Sequence, residues 1–308
     1  MWKFEKKQQN YDISGIKIGG NPGELPTVLI GNLFYRGMPE VYNHKNGSFD
    51  KKAIEKWLST SEVLSEESGA PHLLDIMAMY PEAIPNYINF VADHDDSPFL
   101  IDGANKETRI RALKAISELG LQERVIFNGI TPKTSKEELL AIRSAGVRTA
   151  VIMAYDELDY TPEGRISALQ GTADQEGLLA YAEKAGIQKV LVDTIVFDIP
   201  SISYAAEAIR LVKEELGYPS GCSPANATFS WKQASGSSRL VEGFSAVNAS
   251  VHTIAQLWGA DFLIYGPIKQ AKFIIPSCAI NDAVVAYYSM KRLGTKPLKD
   301  SHPLFKVF

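Results

Sequence analysis

The chain has 308 residues, 45% of them hydrophobic, enough to bury a large core and the right length for one (β/α)8 barrel domain spanning 1–308. Charged residues make up 22% and the net charge is only -4, which excludes the electrostatic footprint of a nucleic-acid or anionic-membrane binder and leaves a small molecule or a protein as partner. Two cysteines outside any CxxC spacing, an N-terminus (MWKFEKKQQNYD) without an apolar core, and the lack of about 18 uninterrupted apolar residues predict a cytoplasmic chain with free thiols, no signal peptide and no membrane span.

Ahead of the first long apolar run, YDISGIKIGGNPGELP alternates apolar and polar residues around glycines. This is the pattern of a short hairpin, placed here to plug the N-terminal end of a barrel. Beyond it, runs rich in Val, Ile and Leu recur between amphipathic stretches, as parallel strands covered by crossover helices do. The strands read as 27–35 (TVLIGNLFY), 71–78 (PHLLDIMA), 98–103 (PFLIDG), 124–130 (RVIFNGI), 149–156 (TAVIMAYD), 189–195 (KVLVDTI), 219–226 (PSGCSPAN) and 260–266 (ADFLIYG). Helices follow each, most clearly over 106–119, 136–144, 175–184, 202–216, 245–258 and 281–293, and Gly120, Gly146, Gly186, Gly217 and Gly294 stand where these end. The connections 158–172 and 227–243 are long and read as loops. An open doubly wound sheet gives the same alternation, but eight repeats without a Gly-rich first βα turn predict closure into a (β/α)8 TIM barrel.

In such a barrel the working groups come from the C-terminal ends of the strands. The reading puts Asp75, Asp102, Asn128, Asp156, Asp193 and Asn226 at the ends of the second to seventh strands, with Gly221 and Ser223 just ahead of Asn226. Any one of them alone can simply cap the next helix. Asp156, within AYDELDYTPEGR, reads equally well as part of a solvated acidic loop. Six on adjacent strands, with no Lys, Arg or His among them, would repel one another and lose hydration unless a ligand brought the donors. The 2-amino-4-oxo ring of a pterin does so: its N–H and NH2 edge donates two parallel hydrogen bonds to a carboxylate, and an amide satisfies what remains.

The order LLDIMA, FLIDGANKE, VIFNGIT, VLVDTIVF and GCSPANATFSW resembles the pterin-binding barrels of dihydropteroate synthases and corrinoid-dependent methyltetrahydrofolate methyltransferases. With GNLFYRG near the N-terminus, nearly the whole chain is similar to the MtrH subunits of tetrahydromethanopterin S-methyltransferase and bacterial relatives acting on tetrahydrofolate. The resemblance implies that Asp102, Asn128 and Asp193 hold the pterin ring and that Asp75 supports them. It implies a strand-seven Asn near N5; the family's spacing there is tighter, which leaves Ser223 and Asn226 both open for that role.

The activity so implied is methyl transfer between a methylcorrinoid and N5 of a tetrahydropterin, tetrahydrofolate first and tetrahydromethanopterin as the other carrier. Positioning and electrostatics suffice for an SN2 step, with Asn226 and Asp193 as the catalytic pair and no nucleophilic side chain. The corrinoid exceeds a pterin pocket and the chain has no DxHxxG-type motif, so a separate corrinoid protein is expected to dock on 158–172 and 227–243. Tyr160, Arg165, Trp231 and Arg239 are the docking candidates there, though they read as ordinary surface residues too. No directly bound metal is expected, since His44, His72, His94, His252 and His302 form no HExxH or HxC pattern, and no strand ends in a Schiff-base lysine. A homodimer paired through outer helices is expected. The rival readings are a dihydropteroate synthase, which needs a Gly-rich anion loop and basic residues where VLVDTIVFDIPS offers acids and apolar groups, and a non-catalytic pterin- or corrinoid-binding subunit.

Overall fold

The computed structural model describes residues 2–236 and 238–308. Its first elements are β1 (Asn10–Ile13) and β2 (Ile16–Gly19), an antiparallel hairpin as the alternation predicts. There follow β3 (Val28–Leu33), the small ladder β4 (Val41–Asn43) and β5 (Ser48–Phe49), α1 (Lys51–Ser68), β6 (His72–Ala78), α2 (Ile84–His94), β7 (Phe99–Gly103), α3 (Lys106–Leu119), β8 (Val125–Ile130), α4 (Lys136–Ala145) and β9 (Thr149–Met153). The second half runs α5 (Pro162–Gln170), α6 (Leu178–Lys184), β10 (Lys189–Asp193), α7 (Ser201–Leu211), β11 (Ser220–Cys222), α8 (Pro224–Ser235), α9 (Phe244–Leu257), β12 (Phe262–Pro267) and α10 (Ala271–Tyr288).

Eight strands, β3, β6, β7, β8, β9, β10, β11 and β12, form a closed barrel in which every neighbouring pair is parallel. Side chains alternate between the two faces of a strand. Val28, Ile30, Leu73, Leu100, Ile126, Val151, Leu191, Phe262 and Ile264 meet inside the barrel, and the alternate residues pack outward against helices. Ile13 and Ile18 of the hairpin join that inner cluster. Lys189 Nζ donates to the Asp12 carbonyl and Ser14 Oγ to the Glu123 carbonyl, so the hairpin plugs the end where β8 and β10 begin, as the sequence predicts.

Several local expectations are corrected. The stretches read as loops 158–172 and 227–243 carry α5 and most of α8, with a 3-10 turn at Arg239–Gly243. Pro162 and Pro224 stand in the first turns of those helices, where a missing N–H leaves no bond unmade. The strand read at 219–226 is only Ser220–Cys222, because Pro224 already opens a helix. α6 begins three residues later than read, at Leu178, and α10 ten residues earlier, at Ala271, running through Pro276. Among the described residues, Ile268–Leu293 is long and apolar enough to cross a membrane by composition; half of its most apolar stretch is buried, and α10 packs on α9 and α1.

Candidate functional site

The barrel's inner alternation continues past its hydrocarbon layers. Two residues beyond Ile30, Leu73, Leu100, Ile126, Val151 and Leu191 come Asn32, Asp75, Asp102, Asn128, Met153 and Asp193, all on the inward parity at the C-terminal side of the sheet. Register pairs Asn32 with Asp75, Asp102 with Asn128, and Met153 with Asp193. The sequence reading placed Asp75 at its strand end; it is instead the fourth residue of seven in β6, deep in the mouth and 1% exposed.

The acids and amides meet as predicted on four of these strands. Asn128 Nδ2 donates to Asp75 Oδ2 at 3.4 Å. Asp75 Oδ1, Asn128 Oδ1 and Asn32 Oδ1 are buried and accept no hydrogen bond from the described residues, while Asn32 Nδ2 faces the Met77 sulfur at 3.0 Å. A buried acceptor without a donor costs about 1–3 kcal/mol, so three of them in one concavity describe a surface shaped for a donor-rich ligand. Burial raises the Asp75 carboxyl well above the carboxylate range and the charge on Asp102 raises it further. Burial also pushes Asp102 up to about 6 against the pull of Arg109, and Asp193 up to about 6 against the Ile195 amide and Arg165.

The prediction that no basic residue stands among these groups is wrong. Arg109 of α3 lies near Asp102, held by Glu138 Oε1 at 2.9 Å from Nε and by the Gly103 carbonyl at 3.1 Å. Arg165 of α5, read as a docking residue on a surface loop, is 0% exposed and lies beside Asp193 and Cys222. It is buried because residues 162–170 form a helix whose Ile166 and Leu169 pack into the core, carrying their neighbour inward. Neither guanidinium occupies the space between Asp75 and Asn128, which touch directly.

The remaining candidates divide. Ser223, 6% exposed, donates Oγ–H to the Ile264 carbonyl at 3.1 Å, at the mouth end of β12. Asn226 does not end a strand: it is the third residue of α8 and exposed, its backbone N–H on the Ser223 carbonyl. Gly221 is required by packing, since a Cβ there would run into the Phe262 carbonyl. Asp156 lies beyond β9, where its Oδ1 accepts from the Leu158 amide at 2.7 Å in a local turn. Asn32 and Arg165 are the residues the sequence reading did not assign to the site. The alternation Val28, Ile30, Asn32 carried the signal for the first; TPEGRIS carried none for the second.

At the rim, a cleft of about 610 Å³ opens between the connections after β9 and β10, lined by Tyr160, Phe197, Asp198, Pro200 and Tyr204. Tyr160 and Phe197 meet edge to face at 5.0 Å.

Solved structures with a similar fold are dihydropteroate synthases. The enzyme of Xanthomonas albilineans with 4-aminobenzoic acid superposes with a TM-score of 0.57 at 18% identity, over 91% of this chain and 98% of that one. That of Yersinia pestis with a pterine-sulfa conjugate gives 0.57 at 13%, over 90% and 99%. At those identities the likeness speaks to the barrel alone. In sequence, the chain is 36% identical to the MtrH-type subunit of tetrahydromethanopterin S-methyltransferase from Methanothermobacter thermautotrophicus, over the full length of both. It is 33% identical to the corresponding subunit of the putative methyltransferase mtx from Methanosarcina barkeri, over 99% of both. The family described as "Tetrahydromethanopterin S-methyltransferase MtrH subunit" matches residues 6–298. A pterin-type barrel whose sequence aligns from end to end with these subunits is a methyltransferase chain, and it belongs to the MtrH family.

Proposed function

We propose that the mouth binds the ring of a reduced pterin and that the chain moves a methyl group between N5 of that pterin and the cobalt of a corrinoid carried by another protein. The observation that carries this is the set of buried, unpartnered acceptors on Asn32, Asp75 and Asn128, flanked by Asp102 and Asp193. In this reading Asp102, Asn128 and Asp193 take the ring's N–H and NH2 donors, Asp75 and Asn32 complete the acceptor wall, and Gly221 shapes it by letting β11 approach β12. Ser223, buried at the mouth, and Asn226, exposed at the start of α8, both stand within the turn expected to face N5. Asp156 belongs to the rim.

In the direction of pterin methylation, the N5 lone pair forms the C–N bond as the C–Co bond breaks with its electron pair left on cobalt, and the N5 proton passes to solvent. In the reverse direction N5 is the leaving group, and a hydrogen bond from the Asn226 amide would favour its departure. The protein's part is to hold N5 in line with the methyl group and keep its charges pre-arranged. A corrinoid protein would approach over the open mouth, with exposed Tyr160, Arg239 and half-buried Trp231 at the rim; we place both proteins in the cytoplasm and this chain in a homodimer.

The cradle addresses the ring, which tetrahydrofolate and tetrahydromethanopterin share. The relatives' names carry the second carrier and our residue reading began from the first, so both are titrated. Calorimetry with each pterin should show binding that Asp102→Ala and Asn128→Ala weaken by roughly 1–3 kcal/mol each, the range for a lost buried hydrogen bond. Rapid mixing with a methylated corrinoid protein should show loss of the methyl-cobalt absorption. No binding of either pterin would overturn the reading; binding without demethylation would leave a non-catalytic subunit.

A further inference from the structure

The carboxylate of Asp193 is held by an unusual piece of backbone. Ile195, a β-branched residue, sits at φ 54°, in the left-handed region that disfavours such side chains. In that conformation its N–H donates to Asp193 Oδ1 at 2.7 Å, and its carbonyl accepts from Arg165 Nη2 at 3.2 Å. The same residue thus ties the acid to the buried guanidinium. Arg165 has no exposed surface, and among the described residues its Nε and Nη1 have no hydrogen-bond partner and no direct ion pair joins it to Asp193. A fully buried cation with two idle donors is costly, and nothing in the packing of α5 requires it: Ile166 and Leu169 supply that helix's apolar contacts.

We propose that Arg165 is a positioning residue for pterin binding, which clamps the Ile195 carbonyl so that the strained turn after β10 presents an ionised Asp193 to the ligand. The proposal rests on the reading of Asp193 as a pterin contact. Two effects act together. The hydrogen bond offsets the strain of Ile195, and the charge favours the carboxylate through space. Other titratable groups around Asp193 do not supply that charge. β11 brings Cys222, whose thiol is pushed up by burial and by Asp193 itself. β9 brings Met153. On α7, Glu207 and Arg210 pair with each other at 2.7 Å, and Asp159 of the rim lies beside Arg165 with its carboxylate on Thr161.

The test is pterin affinity against pH, by calorimetry with tetrahydrofolate and tetrahydromethanopterin. In the unaltered chain, affinity should fall as pH drops through about 6, where Asp193 takes up a proton. Arg165→Met removes clamp and charge, and the falling limb should move upward by about one pH unit or more. Arg165→Lys keeps the charge without the planar fork: the limb should stay within a few tenths of a unit while affinity on the plateau drops several-fold. Adding Ile195→Gly to Arg165→Lys should restore the plateau, because glycine adopts the left-handed conformation freely. A methionine variant with an unmoved limb, or a lysine variant with an unchanged plateau, overturns the proposal. Should the methionine variant fail to fold, the lysine pair decides. Asp193→Asn separates the two claims: if it binds both pterins with unchanged affinity and pH profile, the assignment of Asp193 fails, and the role of Arg165 with it; if it alone loses binding, only Arg165 is in question.

Discussion

At the scale of single residues, the mouth trades stability for ligand affinity. Asp193 is 3% exposed and burial holds it at about 6 in place of 3.8. A folded-state value above the unfolded one means that the folded chain binds the extra proton, so stability is greatest below pH 4 on this account and declines as pH rises from about 4 to 6. At about 1.4 kcal/mol per tenfold, that difference is on the order of 3 kcal/mol at pH 7. Asp193→Asn should therefore melt later than the unaltered chain at pH 7 and at nearly the same temperature at pH 4, while losing affinity for pterin. Later melting at both pH values, or at neither, would contradict the charge argument. The residues of this site were legible in the sequence to the extent that they follow strand parity. Asp102, Asn128 and Asp193 each stand two positions past an inward aliphatic residue, and a run such as VLVD displays that. Asn226 was misplaced because Pro224 starts a helix inside what reads as a strand end. Arg165 was hidden because a lone arginine among polar and glycine residues looks solvated; only the packing of α5 on α7 shows that it is not.

At the scale of elements, the plug and the mouth answer to different residues. Lys213, 1% exposed in the π turn after α7, bonds both Asp261 oxygens at 2.6 Å and the Gly20 carbonyl at 2.8 Å, joining the hairpin's exit to the start of β12. Lys213→Met should destabilise the chain by about 3–5 kcal/mol, because Asp261 would remain buried without its cation. Ile18→Ala, in the inner cluster, should cost about 2–5 kcal/mol. Urea melts give both numbers, and under native conditions neither variant should change pterin affinity by more than about twofold. A large change in affinity would mean that the plug also shapes the mouth. The hairpin and the barrel strands were readable because alternation and β-branched runs are local signals. α5, α8 and the first half of α10 were not, since glycine, serine and Pro276 weaken the helical pattern while tertiary packing supplies the stability.

For the whole molecule, closure of eight parallel strands was legible from the count of βα repeats alone, whereas which carrier and which protein meet the mouth depends on rim geometry that no periodicity encodes. Because pterin binds the ionised mouth, its stabilisation should grow with pH. At a hundredfold excess over Kd, binding contributes about 2.7 kcal/mol, and a calorimetric melt at pH 8 should show a larger upward shift with pterin than one at pH 5. An equal shift at both would place the bound ring away from Asp102 and Asp193.

The hairpin's attachments lie far along the chain: Gly20 to Lys213, Thr27 to Asp282 at 2.8 Å, and Glu24 to the Leu298 amide. On the ribosome, the segment that emerges first therefore waits for the segment that emerges last. Until β12 and α10 have left the exit tunnel, Ile13 and Ile18 have only part of the inner cluster to enter, so nascent chains halted before residue 260 should remain open to protease at their N-terminal end.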